Sequence, residues 1–213
     1  MSRILIIGAS KGIGLEAVKR GLEFGHSIRA FARTADRIAI DHAGLEKWKG
    51  DALAARDVAA ALDGVDAVIQ ALGVAAGPSA LLRPVTLFSE STRILLPAME
   101  QVGVGRLISV TGFGAGDSRA SMGCVQAVGF RLFLGRAYDD KDVQERLIQA
   151  SELNWVIVRP TILTKGSHSS RYNVLVDPKE WRNGFISRAD VADFLVRQVE
   201  DDAYIGKTPV LTY

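Results

Sequence analysis

The apolar run Ile4-Leu5-Ile6-Ile7 passes directly into Gly8-Ala9-Ser10-Lys11-Gly12-Ile13-Gly14, after which Leu15, Val18 and Leu22 recur at helical spacing with Ala17 close by. A continuous aliphatic run is the pattern of a parallel strand covered on both faces, and the recurrence behind it is that of an amphipathic helix. The glycines therefore lie at a strand-to-helix joint, which confines the chain to α/β folds in which a strand feeds straight into a helix. Gly8 permits a tight turn off the strand, while Gly12 and Gly14 let the backbone approach a pyrophosphate and let the helix pack close to the sheet. The unpaired amides and the positive dipole end of the helix then face phosphate. A glycine pattern alone is common in turns; here the flanking strand and helix supply the context it needs. Gly8, Ser10, Lys11, Gly12, Ile13 and Gly14 are thus candidate cofactor contacts.

Further strand patterns recur at Arg3–Ile7, Ser27–Phe31, Leu45–Lys49, Ala67–Gln70, Arg106–Val110 and Trp155–Val158. Helical stretches separate them, at Ala54–Leu62, Thr86–Val102 and Asp140–Ser151, and Pro97 is a candidate kink in the second. Such alternation predicts an α/β fold with a doubly wound, parallel, Rossmann-type sheet. After Arg159 the alternation fades into a loop region holding Gly166, His168 and Pro178, then a helix over Arg188–Val199 and a short strand, Pro209–Leu211. The expected organisation is one domain, 1–213, with residues 160–187 as a substrate-side loop region.

A chain of 213 residues that is 48% hydrophobic can bury a sizeable core. Its net charge of +2, with no run rich in lysine and arginine, points away from nucleic acid and from an anionic membrane surface as partners. The single cysteine, Cys124, excludes an intrachain disulfide and suits a reducing compartment. The four-residue N-terminal apolar run lacks the length of a signal peptide, so the expectation is a cytoplasmic protein with no membrane span, a monomer or weak homo-oligomer acting on a small molecule. His26, His42 and His168 share no metal-ligand spacing with one another or with Cys124, and no metal is expected.

The second strand ends in Phe31-Ala32-Arg33, where a unit that prefers NAD would carry an acid for the ribose hydroxyls. Arginine there points to a phosphate, with Lys11 reaching it from the other side, Thr34 adding a hydroxyl and Arg37 as a further cation. The cofactor expected is NADP(H), preferred over NAD(H). Asp51, with Ala52 beside it, is placed either to hydrogen-bond the adenine amino group or to cap the helix beginning near Leu53. Ala71-Leu72-Gly73, after the fourth strand, are small enough for a ribose to pass close to backbone.

These features resemble the short-chain dehydrogenase/reductase superfamily over nearly the whole chain. The glycine string is similar to that of its tyrosine-dependent members, including the basic residue before the second glycine. The remainder is similar to the atypical, NmrA-like branch and the small biliverdin-IXβ/flavin reductases. That likeness rests on Phe31-Ala32-Arg33, Asp66-Ala67-Val68-Ile69, Ser109-Val110-Thr111, Val158-Arg159-Pro160, Ile186-Ser187-Arg188-Ala189-Asp190-Val191 and the closing Tyr213. The resemblance implies that Pro160, Thr161 and Ile162 line the nicotinamide side. It also implies that Lys141, in the pattern Lys141-x-x-x-Glu145-x-Leu147, holds the ribose.

The superfamily's proton-transferring tyrosine stands four residues before that lysine, and here Ala137 occupies the place. Tyr138, three before Lys141, is either a displaced proton donor or a tyrosine packing at a helix start. Thr111, at the end of the fifth strand, either polarises substrate or touches the nicotinamide amide, or else forms a turn before Gly112. Gly112 to Gly135, with Phe113, Met122, Phe130 and Phe133, reads as a flexible loop followed by apolar helix surface, its aromatics covering a flat ring or packing the core; the same choice holds for Tyr172 and Trp181.

A good cofactor turn without a complete proton-transfer pair fits an NADPH-dependent reductase passing hydride to a flavin or another planar conjugated acceptor. The alternatives are a dehydrogenase or epimerase on an alcohol or sugar-like substrate, using Thr111, Tyr138 and Lys141, and a nonenzymatic NADP(H)-binding redox sensor.

Overall fold

The computed structural model describes residues 1–74, 85–121 and 124–213, the side chains of 121–135 excepted. The six aliphatic runs form β1 (Arg3–Ile7), β2 (Ser27–Ala32), β3 (Leu45–Lys49), β4 (Ala67–Gln70), β5 (Arg106–Val110) and β6 (Asn154–Pro160). Four short strands follow: β7 (Ile162–Thr164), β8 (Asn173–Leu175), β9 (Phe185–Ser187) and β10 (Val210–Thr212). The main sheet has eight strands in the order β3-β2-β1-β4-β5-β6-β10-β8. All pairings in it are parallel except that of β8 on β10. The Rossmann-type doubly wound arrangement read from the sequence is borne out.

Alternate residues of each strand feed opposite faces, as the two-residue repeat requires. Ile4, Ile6, Ile69, Ile108 and Val156 pack with α1 (Gly12–Glu23) and α5 (Arg188–Arg197). Leu5, Ile7, Val68, Leu107 and Ile157 pack with α2 (Ala55–Ala61), α3 (Leu87–Val102) and α4 (Cys124–Gln149). The strand order reverses between β1 and β4, and in open α/β sheets the crevice at the carboxyl ends of two such strands is where ligands bind.

Two expectations need correction. The helix placed at Asp140–Ser151 begins at Cys124, so Tyr138 lies well inside it rather than at its start. The glycines of the preceding stretch lower helix propensity, which hid its first four turns from a reading by pattern. The region after Arg159 is not wholly irregular: β8 extends the main sheet, and β7 pairs with β9 in a separate two-stranded sheet. Pro97 lies inside α3, which runs as one element of 16 residues.

Candidate functional site

The turn after β1 is shaped by close backbone packing. Gly8 has φ of 90°, and a Cβ on it would stand 2.6 Å from the carbonyl oxygen of Ala71 at the end of β4. The amides of Gly8 and Ala9 both donate to Phe31 O, at 3.0 and 3.3 Å, which ties the turn to the end of β2. A Cβ on Gly14 would overlap the Gly8 carbonyl, so α1 can lie this near the strand only with glycine there. The N-cap residue of α1 is Lys11, whose side chain makes no capping hydrogen bond. Gly12 has open space beside it. The first amides of α1 are therefore left for a ligand to satisfy.

Lys11, Arg33, Thr34 and Arg37 are all exposed around this turn and the end of β2. The three cations have no carboxylate partner among the described residues. Asp51 is not the N-cap of α2, which is Ala54. Its Oδ1 instead accepts from Leu53 N at 3.0 Å, and its own amide donates to Asp57 Oδ2 at 2.9 Å, bracing the loop that enters the helix. Ala52 and Ala71 are buried, Leu72 is half-buried and Gly73 exposed.

At the ends of β5 and β6 a second cluster forms around α4, where positions 138, 141 and 145 share a helix face. Thr111 is buried, and its hydroxyl donates to Glu145 Oε1 at 2.6 Å. Glu145 is in turn held by Arg159 of β6, through Nε to Oε1 at 3.0 Å and Nη2 to Oε2 at 2.6 Å. The remaining nitrogen of Arg159 pairs with Asp117 at 2.5 Å, and its guanidinium lies 5.2 Å from the Trp181 ring centroid. Arg159 and Glu145 are 1% and 2% exposed, so Glu145 would be an uncompensated buried charge without Arg159, which has Asp117 as a second partner.

Lys141 donates from Nζ to the backbone carbonyl of Thr111. Its ammonium lies 5.0 Å from the Phe88 ring centroid and 4.9 Å from that of Tyr138. Burial pushes its pKa down to about 8, against an opposing pull from Glu145. The Tyr138 hydroxyl is so close to Gly112 that a Cβ there would come within 2.5 Å of it. Burial, and secondarily the charge of Glu145, pushes the phenol up to about 12. The adjacent α4 residues fix the helix to its neighbours. Asp140 accepts from the amides of Phe88 and Ser89 at 2.8 and 3.3 Å, closing the start of α3. Gln144 donates to Gln70 at 2.9 Å and to Ser109 at 3.1 Å.

Sequence reading singled out Thr111, Lys141 and Tyr138, which the fold brings together. It did not assign roles to Glu145, Arg159, Asp117 or Asp140. Glu145 and Arg159 stood within quoted motifs, and the signal was an arginine inside an otherwise aliphatic strand, which demands a buried acid. Pro160 and Thr161 are buried at the end of β6, while Ile162 is half exposed. The Thr161 hydroxyl donates to Leu211 O at 3.1 Å.

Phe113 and Trp181 belong to a small buried cluster with Leu175 and Val210, and Tyr172 donates to Asp193 at 2.9 Å. The structure thus accounts for these aromatics by packing and hydrogen bonding within the protein. The side chains of Met122, Cys124, Phe130 and Phe133 lie outside the described residues. His26 is buried and accepts from Ser2 N at 3.2 Å, His42 accepts from Gly44 N at 3.0 Å, and His168 lies 2.9 Å from the Ser170 hydroxyl. Among the described residues no helix is long and apolar enough to cross a membrane.

Residues 8–202 match the NAD(P)H-binding family. ChuY, described as an anaerobillin reductase from Escherichia coli O157:H7, superposes with a TM-score of 0.81 at 26% identity, covering 99% of this chain and 97% of that one. A short-chain dehydrogenase/reductase from Veillonella parvula, solved in complex with NADP, gives a TM-score of 0.83 at 15% identity over 100% of this chain and 94% of that one. The photosystem II assembly factor Ycf39 of Synechocystis sp. is 22% identical over 97% of this chain, which spans 61% of that relative's length. The resemblance to atypical short-chain dehydrogenase/reductases is borne out.

Proposed function

Because the chain belongs to the NAD(P)H-binding family, we propose that it is an NADPH-dependent reductase that passes hydride to a planar conjugated acceptor of the flavin or tetrapyrrole kind. The observation that carries this reading is the state of the two hydroxyl groups of the second cluster, Thr111 and Tyr138. The Thr111 proton is committed to Glu145, and the Tyr138 phenol is packed against Gly112 with its pKa pushed up to about 12. Neither is poised to give a proton near neutrality, where a general acid needs a pKa near the working pH. An acceptor whose reduction needs only hydride, with water completing the protonation, suits such a site. The cofactor supplies the hydride, and the chain binds and orients it. The first amides of α1 hold the pyrophosphate, Lys141 the ribose, and Thr111 presents lone pairs to the carboxamide. Pro160, Thr161 and Ile162 close the nicotinamide side, with residues 160–187 facing the acceptor.

Preference for NADP(H) rests on Arg33 and Lys11, exposed cations without carboxylate partners among the described residues, where an acid would favour NAD. ChuY, described as an anaerobillin reductase, adds weight to a reductase reading.

The test is NADPH oxidation followed by absorbance with FMN, FAD, quinones and biliverdin, for the native protein and Tyr138→Phe. Turnover that survives the substitution within a few-fold supports hydride transfer without a tyrosine acid. A loss of a hundredfold or more supports the dehydrogenase or epimerase chemistry instead. Tight cofactor binding with no turnover on the panel would place the protein with nonenzymatic sensors.

A further inference from the structure

Beside the glycine turn lies a cavity of about 680 Å³, within the range of small-molecule sites. Gly12 and Glu16 of α1, the 165–168 segment and the first residues of α5 line it. Three of its side chains are basic: Lys165, His168 and Arg188. Its one carboxylate, Glu16, is already paired with Lys19 at 2.8 Å. His168 is tied to its surroundings, 2.9 Å from the Ser170 hydroxyl and 3.4 Å from Asp193. Lys165 and Arg188 have no carboxylate partner among the described residues, and Arg188 commits one nitrogen to Thr164 O at 2.9 Å. The cavity therefore carries an uncompensated positive surplus.

Its wall is fixed from within the protein. Asp190, fully buried, accepts from the amides of Ser169 and Ser170 at 2.8 and 2.9 Å and from the hydroxyls of Ser169 and Tyr213, both at 2.7 Å. Ser170 is held in the left-handed region, φ of 56°, by those bonds. Lys165 takes no part in that anchoring. It directly follows β7, whose first residue, Ile162, the proposed function assigns to the nicotinamide side, so on that reading one short strand runs from the hydride end to this cavity.

We infer that the cavity is an anion subsite for a phosphate or carboxylate borne by the acceptor, adjoining the pyrophosphate position on the turn at Gly12. This rests on the reductase reading. The same cations could instead serve the cofactor's own phosphates, and FMN and riboflavin, which differ by one phosphate, separate the two sources.

For Lys165→Ala, Lys165→Glu and Arg188→Gln, the ratio of KM for FMN to KM for riboflavin is measured together with the Kd for NADPH. A charge-assisted contact is worth about tenfold to a hundredfold in affinity. The expected result is a rise of about tenfold or more in that ratio for Lys165→Ala, larger for Lys165→Glu, with NADPH affinity within about twofold of native. A parallel loss of NADPH affinity with an unchanged ratio overturns the subsite in favour of the cofactor, and no change in either overturns it outright. If neither flavin is reduced, a flavin as the acceptor is ruled out while the subsite is still tested. Flavin fluorescence titrations of NADP⁺-saturated protein should then show FMN binding more tightly than riboflavin, with the difference lost in Lys165→Glu. Equal binding of the two flavins by the native protein overturns it.

Discussion

Replacing Thr111 by valine exchanges the hydroxyl for a methyl group of nearly equal size and keeps the branched side chain of β5's end. What it removes is one hydrogen bond, 2.6 Å long, from a buried hydroxyl to the Glu145 carboxylate. Such a bond to a charged group contributes about 1.5–3 kcal/mol. The loss stays in that range because Glu145 keeps both contacts from Arg159, at 3.0 and 2.6 Å. Stranding the carboxylate altogether would cost roughly 3–5 kcal/mol. For a domain of this size 1 kcal/mol moves Tm by roughly 2–4 °C, so Thr111→Val should melt about 3–12 °C below the native protein by circular dichroism, with Thr111→Ser close to native. In the NADPH oxidation assay kcat should fall less than about tenfold, with the larger change in KM for NADPH, because the hydroxyl orients the cofactor as an acceptor and gives up no proton. A proton-donating Thr111 would instead cost about 10² to 10⁴ in kcat. A valine variant with native Tm and kcat lowered a hundredfold would refute the reasoning.

Arg33→Ala should weaken NADPH binding about tenfold to a hundredfold in a fluorescence titration and leave NADH nearly unaffected; equal losses would remove the case for a 2′-phosphate contact. Lys141, with its pKa pushed down to about 8 by burial, is an ammonium below that pH and neutral above it. NADPH affinity should therefore decline as pH rises through about 8, and Lys141→Arg should flatten that profile. Since the unfolded lysine titrates near 10.4, the unfolded chain binds more protons between about 8 and 10.4, and thermal stability should gain from this group over that interval. Burial alone would raise Asp190, but hydrogen bonds from Tyr213, Ser169 and Ser170 outweigh it and hold the acid down at about 2. Its contribution to stability is full above the ordinary carboxylate range and is lost as pH falls from about 4 towards 2. Asp190→Asn should flatten the melting curve against pH over that window and speed hydrogen exchange at Ser169 and Ser170.

The frame of the fold is legible in the sequence because its strands are buried on both faces and read as unbroken aliphatic runs, Ile4–Ile7 and Val156–Val158 most plainly. The strands β7, β8 and β9 are three residues each, too short to show a period, and their pairing depends on a return of the chain that no local pattern encodes. The site divides the same way. Its turn is local and could be read from glycine spacing, but Arg159 and Glu145 meet across 14 residues only once α4 lies over β6. Even so, a charge in an apolar strand requires a partner, and the acid sharing a helix face with Lys141 is Glu145, so the pair was open to deduction. The displaced tyrosine was harder to read. Successive residues on a helix are rotated by about 100°, so moving the aromatic from four places before Lys141 to three swings it by that angle about the α4 axis. The face of the Tyr138 ring then lies 4.9 Å from the ammonium, and its hydroxyl reaches the backbone at Gly112. A lysine placed to lower a phenol's pKa must act on its oxygen; here burial and Glu145 prevail and the phenol rises. The one-residue shift thus separates the two halves of the proton-transfer pair while leaving Lys141 beside Thr111.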